Sequence, residues 1–151
     1  MALVPRATSE LVTAAWISSI PGFTAGTGEQ LPDETTWYET GFVTVAVAGG
    51  SPDVDMRIGK PVMQIDCWAA APGSNKPPWQ LANNIAEQIR AAAYDRLHFG
   101  RPLTLAVNDV PYPLARAMTV YVLTEPHRVY GDSADLAGYS FDAQVQWISL
   151  T

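Results

Sequence analysis

The chain has 151 residues, of which 48% are hydrophobic and 16% charged, with a formal net charge of −6. That length suits one domain over residues 1–151 with a core that needs no staples. The absence of any run of Lys or Arg disfavours tight phosphate binding, which requires clustered cations.

One cysteine cannot form an internal disulfide, and no stretch of about 18 apolar residues offers a membrane span, so no membrane partner is expected. The first ten residues, "MALVPRATSE", lack the basic patch and apolar run of a signal peptide, which predicts a cytoplasmic setting or an assembly made there. Charge below the usual ~25% leaves a surface to be covered by neutral polar groups or by partner subunits. Seven of the nine basic residues are Arg, whose planar fork favours interfaces, although coding bias produces the same preference.

Residues 8–20, "TSELVTAAWISSI", predict a helix: Thr8 and Ser9 are N-cap candidates, Glu10 lies in the first turn, and Val12, Trp16 and Ile20 recur at helical spacing before Pro21-Gly22. Residues 21–36 read as an irregular loop. "TGFVTVAVAGG", residues 40–50, predicts a strand with Val43, Val45 and Val47 on one face, and a polar loop follows. In the next strand, "PVMQIDCWA", Met63, Ile65, Cys67 and Ala69 point one way while Gln64, Asp66 and Trp68 point the other. Pro77-Pro78 then sets up a helix from Trp79 whose apolar stripe is Leu81, Ile85, Ile89 and Ala92/Ala93.

A short strand at residues 103–107 precedes a turn at Asn108-Asp109. "LARAMTVYVLTE" is a clearer strand, with Met118, Val120 and Val122 opposite Thr119, Tyr121 and Leu123. Residues 125–138 read as an irregular connection. The closing strand, "YSFDAQVQWISL", sends Tyr139, Phe141, Ala143, Val145 and Trp147 inward and Ser140, Asp142, Gln144 and Gln146 outward. The order predicts an α+β domain: a largely antiparallel sheet of four to five strands with two helices packed on one face.

Residues capable of chemistry do not converge. Cys67 falls on the apolar side of its strand beside Asp66, which disfavours a thiolate. His98 and His127 lie in loop-like sequence without metal-ligand spacing. His127 with Asp132, Ser133 and Asp135 supplies the residue types of a hydrolytic triad, but without a nucleophile elbow, and such clusters are chiefly turn formers. The glycine-rich "GFTAGTG" lacks the feeding strand and the Lys of a phosphate loop. Asp53 and Asp55, two apart, are too few for a cation site. No metal, no cofactor and no catalytic residue is therefore expected, and the reading is a structural protein rather than an enzyme.

A helix ending in "SSIPGF", a Gly-flanked strand, "PVMQIDCWAAA", a Pro-rich turn, the helix "LANNIAEQIRAAAYD" and the closing "YSFDAQVQWIS" together resemble the tail terminator, or tail completion, proteins of long-tailed (siphovirus-like) bacteriophages. The resemblance covers most of the chain in layout, most specifically residues 61–95, and does not extend to residues 101–113 or 125–138. It implies a homohexameric ring at the head–tail junction of a virion, assembled in the host cytoplasm. Such a ring caps the tail tube, ends its polymerisation and receives the head–tail connector or stopper protein. DNA passes through the bore without specific binding, and an acidic conduit repels rather than holds phosphate.

On this reading Gln64, Asp66, Gln144 and Gln146 lie at the bore or a subunit boundary. Trp37, Tyr38, Trp68 and Trp79 are candidate interface aromatics. Arg90, Arg96 and Arg101 are candidates to pair with a neighbour's carboxylates such as Asp53 or Asp55, though each could be packed within its own chain. The alternatives are another connector, stopper or tail-tube component, or, from a different class, a small ligand-binding or hydrolytic domain using His127 and Cys67.

Overall fold

The computed structural model describes residues 7–50, 58–72, 76–107, 110–130 and 136–150. Two helices and eight strands run in chain order: α1 (Ser9–Ser18), β1 (Gly26–Gly28), β2 (Phe42–Gly49), β3 (Ile58–Gly59), β4 (Val62–Ala70), α2 (Trp79–Tyr94), β5 (Leu103–Val107), β6 (Val110–Val122), β7 (His127–Tyr130) and β8 (Leu136–Ser149). A 3-10 turn at Arg96–His98 leads from α2 to β5. The fold is α+β with a mostly antiparallel sheet; among the described residues only β1 and β2 pair in parallel.

The sheet order is β1-β2-β4-β8-β6-β5, with β3 and β7 also paired to β8. Eight strands exceed the expected four to five, and the register explains the difference. β3 and β4 lie along the same edge of β8 in one register, Ile58↔Ile148 and Gly59↔Trp147 continuing into Val62↔Gln144, and Pro61 interrupts them. Proline donates no backbone hydrogen bond, yet its carbonyl still accepts from Val145 N at 3.1 Å. β6 and β7 similarly share the opposite edge of β8, separated by a turn that Leu123 N pins to the Asp142 carbonyl at 2.7 Å. Residues 21–36, 50–60 and 125–138, expected as loops, thus contribute β1, β3 and β7, each too short to display alternation.

Both helices cover one face. α1 contributes Val12, Trp16 and Ile17, and α2 contributes Ile85, Ala86 and Ile89. They join a single core with Val43, Val45, Met63, Ile65, Cys67, Val120, Phe141, Ala143 and Val145. α1 packs against β1 and β5, the two ends of the strand order, so the sheet curls around it. It is capped by Thr8, whose hydroxyl accepts from Leu11 N at 3.3 Å. Trp16 anchors it: the indole stacks on Phe99 at 5.6 Å and donates to the His98 carbonyl at 3.1 Å. α2 follows Pro78 and buries Ala82, Ile85, Ala86, Ile89 and Ala92, so the expected stripe is rotated slightly, leaving Leu81 and Ala93 at its margins.

Two residues expected to share a strand face with residues that prove to be core are themselves exposed. Val47 keeps the predicted alternation but is 47% exposed, on the part of β2 beyond Phe42, Val43 and Thr44, which pair with β1. Met118 does not join Val120 in the core. The register of β6 against β8 shifts between Ala117 and Thr119, making Met118 the extra residue of a β-bulge and leaving it 40% exposed. Ala115 and Ala117 are buried instead.

Candidate functional site: the helix-free sheet face

The side of the sheet away from the helices is built by strict alternation. Cross-strand partners share a face, and the register lines up Thr44, Asp66 and Ser140 with His127, then Ala46, Gln64 and Asp142, then Val62, Gln144 and Tyr121. Gln146 lies opposite Thr119. Gln64, Asp66, Gln144 and Gln146 are therefore brought together on one surface. The Gln64 amide donates to both Asp66 carboxylate oxygens at 3.3 and 3.1 Å, tying neighbouring outward residues of β4 to each other.

Trp68 closes one end of this face. Its indole N–H donates to Thr44 Oγ1 at 3.1 Å, and the ring lies over Gly138, where an added Cβ would stand 2.5 Å from the ring. At the other end, Arg116 Nε and Thr119 Oγ1 are buried with no hydrogen-bond partner among the described residues.

The candidate interface aromatics are largely engaged within the chain. Trp37 is 8% exposed, meets Tyr38 edge-on at 4.7 Å and donates to the Pro32 carbonyl at 3.3 Å. Trp79 is half-buried between Tyr130 and Tyr139, at 5.6 and 6.2 Å, with the Arg128 guanidinium 4.7 Å from its ring centre. Arg90 reaches its own chain's carboxylate: its two terminal nitrogens lie 2.9 and 3.4 Å from the Glu125 oxygens, and that charge raises its pKa. Arg96 and Arg101 are exposed. Asp53 and Asp55 lie outside the described residues, as do Asp132, Ser133 and Asp135.

Cys67 and His127 are separated by the sheet itself. Cys67 is fully buried on the helix side, where burial, with Asp66 adding to it, pushes the thiol pKa well up. His127 stands on the other face opposite Ser140, its Nδ1 3.2 Å from the Glu125 carbonyl oxygen. A thiol–imidazole pair cannot form through the sheet. His98 sits 3.3 Å from the Asp95 carboxylate. Among the described residues no group of three or more His, Cys, Asp and Glu is placed to hold a metal, and no helix is long and apolar enough to cross a membrane.

Sequence reasoning missed the exposed apolar border between the end of α2 and β6. Tyr94 is 74% exposed, Leu97 72%, Tyr121 62% and Leu123 53%. A groove of about 520 Å³ runs there, bordered by Tyr94, Arg96, Phe99, Met118 and Tyr121. The signal was available in "YDRL" and "MTVYVL", where large apolar residues exceed what one buried face absorbs. No protein-family model matches the chain, and no curated protein matches it significantly.

Proposed function

We propose that this chain is a tail terminator protein: a virion subunit that forms a ring on the end of a phage tail tube, stops its growth and presents a docking surface to the head connector. One observation supports this above the others. A whole sheet face, backed by both helices, carries Thr44, Gln64, Asp66, Asp142, Gln144 and Gln146 in register, a central patch of carboxylates, amides and a hydroxyl. Amides and carboxylates stay hydrated, and carboxylates repel phosphate, so such a face suits contact with passing DNA without retention. The sequence layout over residues 61–95 supports the same reading.

The deciding experiment mixes the purified chain with polymerising tail-tube protein and images the products by negative stain. Tubes of limited length with a ring at one end are expected; tubes that elongate unchecked, with the chain left free, overturn the proposal. In assembled particles, Asp66→Lys with Gln144→Lys is expected to slow DNA ejection. Unaltered ejection from particles that carry the variant removes these residues from the bore.

A further inference from the structure

The charges of this chain fall into an acidic and a basic set along the sequence. Residues 7–50, which supply α1, β1 and β2, contain Glu10, Glu29, Asp33, Glu34 and Glu39 and not one Lys or Arg. Later in the sequence, the connection from α2 to β5 and the strand β6 carry Arg96, Arg101 and Arg116. Neither set is neutralised within the described residues. Arg90 and Arg128 have partners in Glu125 and Tyr139, whereas Arg96, Arg101 and Arg116 have no ion pair, and neither do Asp33, Glu34 and Glu39.

The basic end also has an unfinished edge. β5 pairs with β6 only as far as Ala115, Gly100 N donates to the Ala117 carbonyl at 3.0 Å, and among the described residues no strand covers the outer edge of β6 beyond that. An open strand edge flanked by exposed Met118, Tyr121 and Leu123 is a template for another chain. Arg116 Nε, buried with no hydrogen-bond partner among the described residues, lies on the same strand.

We infer that copies of this chain join head to tail: the β6 edge, with Tyr94, Arg96, Arg101 and Tyr121, receives the acidic segment 33–39 of a second copy. The occupant is a second copy because the same chain carries the complementary charge, in the segment that leads into β2. Because two different surfaces meet, the contact is heterologous, and a heterologous contact repeated with the right rotation closes into a ring. The inference rests on the ring reading above and names the surfaces that would build it.

Charge reversal separates the two ideas. Arg96→Glu with Arg101→Glu makes both surfaces acidic, and Asp33→Lys with Glu34→Lys and Glu39→Lys makes both basic. Each variant alone is expected to lose the assembly that the wild-type chain shows by sedimentation velocity and native mass spectrometry. Mixed together, they are expected to recover it as alternating assemblies with equal amounts of each. Wild-type assembly should also weaken as salt is raised to the molar range, where screening acts within a few ångströms. Variants that assemble alone as well as wild type, or a mixture that does not recover, overturn the head-to-tail contact and leave the ring standing. A wild-type chain that never assembles, with or without tube protein, overturns both. Circular dichroism matching the wild type shows that each variant is folded.

Discussion

Cys67 lies on the helix side of β4, while the next residue, Trp68, lies on the bare side and covers Gly138. These adjacent positions fail in different ways when changed. The native thiol is expected to resist a disulfide reagent until the protein unfolds, which a timed absorbance assay with and without urea measures. Its raised pKa has a defined sign. The folded thiol holds its proton more tightly than the unfolded one, so its stabilising contribution is complete below about pH 8.5, the ordinary thiol value. It erodes as pH climbs above that value. Urea titrations at several alkaline pH values are expected to show wild type losing stability faster than Cys67→Ala; parallel losses would contradict it. Gly138→Ala should cost roughly 1–3 kcal/mol by overpacking, because the new methyl meets the Trp68 ring and Val129 at 2.5 to 2.7 Å. Trp68→Leu in the same chain should return part of that loss.

At the scale of elements, α1 and α2 depend on different terms. α1 is short and relies on its cap and on Trp16, so Thr8→Ala should cost about 1 kcal/mol by urea unfolding. α2 is held by packing: Ile89 is fully buried, and Ile89→Ala should cost about 2–5 kcal/mol. Both helices were legible in the sequence because cap chemistry and a 3.6-residue stripe are local signals. β4 and β8 were legible for the same reason, since alternation fixes each side chain's face. β3 and β7 were not, because two to four residues along a longer strand acquire their pairing only from β8. The bulge at Met118 was equally hidden: alternation along β6 alone gives no hint that β8 skips a partner.

For the whole molecule, the curled sheet assigns one face to the helices and leaves the other to solvent or neighbours. Lys at Asp66 and Gln144 should therefore leave stability within about 0.5 kcal/mol of wild type, because neither side chain enters the core. A larger loss in thermal or urea unfolding would mean that the Gln64–Asp66 pair stabilises the fold rather than serving its surface. The candidate site was only partly legible at this scale. Gln64, Asp66, Gln144 and Gln146 could be assigned a direction from their strands, but their meeting on one surface depends on β4 and β8 being neighbours. Trp37, Trp79 and Arg90, read as available to a partner, find Phe42, Tyr130, Tyr139 and Glu125 within the chain.

The sequence by itself determined the α+β class, the two helices, the buried state of Cys67 and the polar direction of two strands. Each follows from a period of 2 or 3.6 residues that any stretch of chain expresses alone. Only the tertiary structure decided which strands are neighbours, where the sheet curls around α1, and which tryptophans and arginines are already partnered. Those outcomes depend on contacts between residues far apart in the chain, and no local pattern carries them.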